Sequence, residues 1–321
     1  MISVMTNLSF DRIPKILGLC LLVAAATIAA PAKASIEQQR KLFHDASAAL
    51  ERNQISKFNR LLKQLEDYPA QPYLEYDYFR RNISQLKPQQ VELFLQRYAD
   101  FPFAYHARGL WLSKLARRGE WQDYLAFFDG RANTKLQCLS FQARMKQGQL
   151  DGLTDEIGKI WLRGYSQPSQ CDLPFSYYLK SHGNPEQVIW ARIEKAFTAR
   201  RPGLAQYLGK KLDPASRQIV DTWYRAHRRP QQSLKQLAKS ADNERNRKII
   251  VHAIDRLARK DSLRALESWA LIRDQFQFSD AQKKQLQLRI ALSAAFQHEP
   301  EAQVLLSNLD DDSMNDQAYL W

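Results

Sequence analysis

The sequence predicts an all-α protein, a curved solenoid of degenerate helical hairpins, and three observations carry that expectation. Glycine is scarce, at 11 of 321 residues. Average usage is about 7%, and glycine-rich turns are what punctuate β-sandwiches, dinucleotide-binding sheets and phosphate loops. Apolar residues recur at spacings of three and four. Leu61-Leu62-Lys63-Gln64-Leu65, Val91-Glu92-Leu93-Phe94-Leu95 and Ala253-Ile254-Asp255-Arg256-Leu257-Ala258 each form one apolar stripe with charge opposite. Short breaks then cut these stripes at intervals. With 45% hydrophobic and 25% charged residues, the composition is that of a folded globular chain and excludes a disordered tail or a multi-span membrane protein.

The first element is an address. Residues 1–34 have a positive start at Arg12 and Lys15, an uncharged 15-residue run from Ile16 to Ala30, and an A-x-A site at Ala32-Lys33-Ala34. This predicts a secretory signal cleaved between Ala34 and Ser35. A membrane anchor is the rival reading, but the run is short of the ~20 residues that span a bilayer, and Pro31 breaks it. Stable membrane insertion is therefore not expected. Cys20 follows Leu17-Gly18-Leu19 like a weak acylation box and reads as filler within the apolar run.

From Ile36 onward, helices are divided at Asn53-Gln54, Tyr68 to Pro72, Lys87-Pro88, Arg118-Gly119, Gln147-Gly148, Gln167-Pro168, Gly183-Asn184-Pro185, Arg201-Pro202-Gly203, Asp213-Pro214, Arg229-Pro230 and His298-Glu299-Pro300. Proline suits the first turn of a helix, so each proline break reads as one helix stopping and the next beginning. Helix pairs then recur at roughly 30–40 residues, the range of helical-hairpin repeats. Leu115 to Trp121 and Arg144 to Leu150 place a small turn between helices as tetratricopeptide repeats do, without a strict 34-residue consensus. In such a stack each hairpin buries its stripe against its neighbours and leaves a concave face as an extended surface. No linker or low-complexity tract interrupts residues 35–321, which read as one domain.

The chain carries 47 Lys+Arg against 34 Asp+Glu, a net +13. Residues 1–34 hold Arg12, Lys15, Lys33 and Asp11, so the remainder carries 44 minus 33, or +11. The basic character belongs to the folded part and points to a polyanionic partner. Export makes that partner envelope material and not nucleic acid.

Cys138 and Cys171 are the two cysteines left after the signal, and an even pair in an oxidising compartment is a disulfide candidate, two buried free thiols being the other reading. His44, His106, His182, His227, His252 and His298 show neither HxxxH nor HExxH spacing. No metal site and no cofactor is expected.

Aromatic residues cluster: Tyr68, Tyr73, Tyr76, Tyr78 and Phe79, then Phe101, Phe103, Tyr105, Trp111, Trp121, Tyr124, Phe127 and Phe128. Two readings stand. Large rings fill the interfaces between stacked helices, and a few exposed rings stack on sugars. The runs Arg80-Arg81, Arg117-Arg118, Arg200-Arg201 and Arg228-Arg229 lie close to breaks and read as solvated helix ends, where cations complement the helix dipole.

Two segments carry a resemblance. Asp67-Tyr68-Pro69-Ala70-Gln71-Pro72-Tyr73-Leu74-Glu75-Tyr76, after a signal and two predicted helices, is similar to the start of the soluble lytic murein transglycosylases of the Gram-negative periplasm. Ile160-Trp161-Leu162-Arg163-Gly164-Tyr165-Ser166-Gln167-Pro168-Ser169-Gln170-Cys171-Asp172 resembles a tryptophan–glycine–serine–glutamine–proline–cysteine stretch of that family, and Leu115 to Trp121 and Gln137-Cys138 also fit. The resemblance covers most of the chain after the signal and weakens after about Arg200. It implies that Cys138 and Cys171 pair. It also implies a right-handed superhelical, U-shaped domain that joins a linker domain and a lysozyme-like catalytic domain. That family cleaves the MurNAc–GlcNAc β-1,4 bond of peptidoglycan without water, leaving a 1,6-anhydro product. Such chemistry asks one carboxyl to protonate the leaving oxygen and then to act as base on the muramyl 6-hydroxyl, in place of the two-carboxylate scheme of most glycosidases.

The sequence departs from the family at the catalytic module, which carries a Glu-Ser and then a Gly-Ala-x-Gly-Leu-Met-Gln run. The Glu-Ser here, Glu267-Ser268, sits in helical text without that run, and the chain stops at Asp316 to Trp321 within what reads as another repeat helix. The sequence thus predicts a truncated U-shaped domain at 35–321, with no catalytic residue of its own and inactive alone. Its partners would be peptidoglycan strands and, in a parent enzyme, the absent linker and catalytic domains. The alternative is a non-catalytic periplasmic helical-repeat scaffold for protein partners. A third reading, a glycosidase in its own right, needs a buried carboxyl with a raised pKa, and no Asp or Glu is singled out for that role.

Overall fold

The structure is a computed structural model that describes residues 35–309. The signal segment up to Ala34 and the last stretch, from 310 to 321, lie outside the described residues. Seventeen α-helices form among the described residues, and no strand does. In order they are α1 Ile36–Glu51, α2 Ile55–Lys63, α3 Gln71–Asn82, α4 Pro88–Arg97, α5 Ala104–Arg118, α6 Trp121–Phe127, α7 Thr134–Lys146, α8 Leu153–Trp161, α9 Asp172–Ser181, α10 Pro185–Thr198, α11 Pro202–Gly209, α12 Pro214–Arg228, α13 Pro230–Leu237, α14 Glu244–Ala258, α15 Ser262–Ile272, α16 Asp280–Phe296 and α17 Ala302–Ser307. A single 3-10 turn, Ser169–Cys171, leads into α9.

The punctuation read from the sequence sets many of these bounds. Pro88, Pro185, Pro202, Pro214 and Pro230 each occupy the first position of a helix, where the missing N–H would have no partner in any case. Gly119 ends α5 in the left-handed conformation, φ 72°. Other breaks carry no proline. Between α6 and α7, α13 and α14, α14 and α15, and α15 and α16, the following helix is opened by Asn133, Asn243, Asp261 and Ser279, whose side chains accept from its first free N–H groups. Ser35 opens α1 the same way, accepting from Gln38 N while its own N–H donates to Gln38 Oε1 at 2.9 Å.

Contacts divide the chain between Tyr78 and Phe79, inside α3 and without a linker. In the first unit, α1 packs on α2 around Ala46, Ala49, Leu50, Phe58, Leu61, Leu65 and Leu74, and the Phe58 and Tyr78 rings stack with centroids 5.7 Å apart. The second unit repeats one relationship. Each helix from α10 to α17 packs on the next, and α5 on α7, α7 on α9, α12 on α14, α13 on α15 and α14 on α16 add the next-but-one contacts of stacked hairpins. One apolar core runs from Cys138 to Ile290, each fully buried Ile, Leu or Phe contributing about 1.5–3 kcal/mol.

The Ile160 to Asp172 segment is where this core is most constrained. Trp161 is 2% exposed and donates from Nε1 to the Val188 carbonyl at 2.8 Å. A Cβ on Gly164 would collide with the Lys195 carbonyl, so only glycine lets the loop lie against α10. Cys138 on α7 and Cys171, both fully buried, form a disulfide with Cα atoms 4.9 Å apart. Arg192 of α10, 4% exposed, sits over the faces of Trp161 and Phe175 at 4.4 and 4.7 Å. Each ring contributes about 0.5–2 kcal/mol to a cation so placed, less than the several kcal/mol lost on taking a charge out of water. Burial accordingly lowers the Arg192 pKa to about 10.

Candidate functional site

The helices α10, α12, α14 and α16 of the second unit border a cleft of about 480 Å³. Its floor is aromatic. Trp223 of α12 lies flat on Phe197 of α10, centroids 4.6 Å apart and planes 6° from parallel, and His252 of α14 meets Phe197 edge-on at 5.5 Å. The Trp223 indole N–H is buried and has no acceptor.

Beside the rings lies a histidine pair. His227 Nδ1 and His252 Nε2 are 3.0 Å apart, the rings near-parallel with centroids 5.2 Å apart. Burial first, then neighbouring charges, lower both pKa values to about 4: Arg256, Arg228 and Arg200 act at His227, and the His227 ring, Arg256 and Arg200 at His252, where Asp255 opposes the shift. Both rings are neutral at pH 7, so one donates to the other.

The rim is cationic. Arg200, Lys248, Arg256, Arg259 and Arg289 border the cleft with two carboxylates, Glu194 and Asp255. Lys248 donates to Glu194 and to Glu244, both at 2.8 Å. Burial lowers the Lys248 pKa, but these two hydrogen bonds outweigh it and the balance is upward. Asp255 accepts from Arg289 Nε at 2.8 Å and from Arg259 Nε at 3.0 Å. Arg256 instead donates to the His227 carbonyl at 3.4 Å. Arg200 and Arg256 have no carboxylate partner among the described residues. Arg200 has φ 56°, a left-handed conformation that turns the chain out of α10 at the edge of the cleft. With two cations unmatched on its rim, the cleft suits an anionic ligand. Its two carboxylates are both held by cations.

The residues singled out in the sequence distribute as follows. Cys138 and Cys171 meet in the bridge, and Ser35 caps α1, whereas Ala34 lies outside the described residues. Glu267 is an exposed residue of α15, and Ser268 donates back to the Arg264 carbonyl at 2.7 Å. Of the six histidines, His227 and His252 come together, across 25 residues of sequence that no spacing rule connects. No group of three or more His, Cys, Asp or Glu side chains converges as a metal site among the described residues. The carboxylates whose pKa is displaced, Asp213, Asp242 and Glu244, all move down, led by hydrogen bonds from Ser216, Gln277 and Lys248. Most of the aromatic clusters fill interfaces: Trp111 and Tyr124 are buried, and Phe79 stacks on Phe94 at 4.3 Å. Tyr73, Tyr105, Tyr165 and Tyr207 are the exposed tyrosines among the described residues. Of the arginine runs, Arg200 belongs to the cleft, and Arg228 and Arg229 border a neighbouring groove with Arg225 and Tyr224. No helix among the described residues is long and apolar enough to cross a membrane.

No family model matches the chain. The soluble lytic murein transglycosylase of Escherichia coli (strain K12) is 28% identical over 204 residues, 63% of this chain and 31% of that protein. Among solved structures, an inactive mutant of the lytic transglycosylase Slt from Pseudomonas aeruginosa matches with a TM-score of 0.76 at 28% identity, over 87% of this chain and 45% of that one. The 70 kDa soluble lytic transglycosylase of Escherichia coli has the same fold, with a TM-score of 0.71 at 23% identity over 90% of this chain and 44% of that one. The chain spans about a third of the length of the curated relatives it matches and under half of the solved chains. In sequence and in helical fold, then, this chain is similar to a part of the soluble lytic murein transglycosylases.

Proposed function

We propose that the chain serves peptidoglycan turnover in the periplasm as the helical part of a lytic transglycosylase, and that its cationic cleft holds murein strands. In this reading residues 1–34 direct export and residues 35–321 form the strand-holding domain. The observation that carries it is the pair of cations without a carboxylate partner, Arg200 and Arg256, bordering the cleft between α10, α12, α14 and α16. Peptidoglycan offers the complement, since its stem peptides carry free carboxylates that pair with cations. Glu194 and Asp255 are engaged by Lys248, Arg259 and Arg289, so the cleft is built to hold a strand and not to protonate a leaving oxygen.

The test is sedimentation of the purified chain with isolated sacculi. Exposed charge pairs are screened within a Debye length of about 8–10 Å at physiological salt and about 3 Å at 1 M. The chain is expected to pellet with sacculi at low salt and to be released as salt rises. Absence from the low-salt pellet sinks the proposal.

A further inference from the structure

A second cleft, of about 700 Å³, opens between α8, α9 and α11 of the second unit. At its back is Arg192, whose side chain forms no hydrogen bond or ion pair among the described residues, and whose Nε is sealed from solvent without an acceptor. The Trp161 and Phe175 faces that hold the guanidinium attract a cation but accept no hydrogen bond from its edge. A buried charge is normally paired, and this one has been given a site and no partner. Burial lowers its pKa, and the nearby Tyr207 and Asp172 offset only part of that loss of water.

The surroundings add to the positive field. Lys180 and Lys211 border the same cleft against one acid, Asp172, for a net charge of two. The other walls mix Ser166, Gln167 and Ser176 with apolar and aromatic surface from Leu204, Phe175 and Tyr207, the last 57% exposed with Lys211 Nζ over its ring at 5.6 Å. A compact inorganic anion would leave these walls unused.

We infer that this cleft binds an organic carboxylate, its carboxyl group meeting the Arg192 guanidinium and its body lying against Phe175 and Tyr207. The planar guanidinium presents paired donors that match the two oxygens of a carboxylate, so the contact selects that group over a neutral carbonyl. The inference does not rest on murein holding by the α10–α16 cleft, since it concerns different residues and a small ligand. A carboxylate of this kind can come from a peptide terminus or from a sugar acid, and the two are told apart by experiment.

The experiment is calorimetric titration of the full chain at pH 7 and low salt. N-acetyl-alanyl-alanine and N-acetylmuramic acid are the probes, and the dipeptide methyl ester and N-acetylglucosamine are their uncharged counterparts. Saturable binding of one molecule per chain is expected for at least one acid and for neither neutral compound, the acid that binds naming the source. Arg192→Met should weaken binding by about tenfold or more, while the melting temperature holds or rises because an unpaired buried charge is gone. Should Arg192→Met fail to fold, Arg192→Lys keeps the charge but loses the paired donors, and Lys211→Ala alters only an exposed wall; each is expected to weaken binding. The inference is overturned if neither acid binds, if the neutral compounds bind as well as the acids, or if the Arg192 variants bind undiminished.

Discussion

His227 Nδ1 on α12 and His252 Nε2 on α14 lie 3.0 Å apart, and this one contact ties two helices of the cationic cleft through a pair of neutral rings. In the unfolded chain a histidine titrates near 6.5. In the folded chain burial, then the neighbouring cations, lower both to about 4. Between those values the unfolded state binds more protons than the folded one, so stability is complete above about pH 6.5 and falls as pH drops toward 4. The melting temperature should therefore drop from pH 7 to pH 4.5, and His252→Gln should flatten that slope. An unchanged slope in the variant would remove the pair as its origin.

Arg200 is held at φ 56° at the end of α10, where glycine would sit without strain. A left-handed conformation costs a residue with a Cβ about 1–2 kcal/mol. Arg200→Gly should stabilise the chain by up to ~1 kcal/mol, glycine's greater freedom in the unfolded state taking back part of the gain. The same change should weaken pelleting with sacculi. Opposite signs in a urea titration and a sedimentation assay are the expected pattern; a variant that is more stable and pellets equally well would take Arg200 out of the ligand contact.

The Cys138–Cys171 bridge closes a loop of 33 residues. Restricting the unfolded chain in this way is worth about 3–4 kcal/mol. The Cys138→Ala/Cys171→Ala double variant should lose that much in urea unfolding, and the oxidised wild-type chain should fall to the same stability on reduction. Because Cys171 directly precedes Asp172 and α9, reduction should also loosen the wall of the Arg192 cleft.

Gly164 has no room for a side chain against the Lys195 carbonyl. Gly164→Ala must push the loop off α10, an overpacking that should cost about 1–3 kcal/mol. A melting temperature within a degree of wild type would show that the loop has more room than its contact with α10 implies.

The fold was legible where its punctuation is covalent. Proline at the head of α4 and of α10 to α13 marks each boundary because proline lacks an N–H and presets φ. The breaks before α7, α14, α15 and α16 were not read, because there a single Asn, Asp or Ser side chain does the capping and such residues are common elsewhere. The division at Tyr78 and Phe79 left no trace either, since it falls within a continuous helix. The cleft was hidden by separation: Lys248 meets Glu194 across 54 residues, and the paired histidines belong to different hairpins. Arg192 was hidden as well: Glu194 and Lys195 share its stretch of α10, and nothing in that order of residues marks which charge is buried.

The next-neighbour packing of α10 to α17 also bears on how quickly the chain reaches its structure. Each helix finds its partners one or two helices away in sequence, so no early contact requires distant segments to meet. Chains knit in this way have low contact order and fold fast for their size, and a stack of hairpins can begin at any one of them and grow in either direction. The second unit should thus assemble by extension from a local seed, with the widest of its named ties, Lys248 to Glu194, closing only after the hairpins between them have formed.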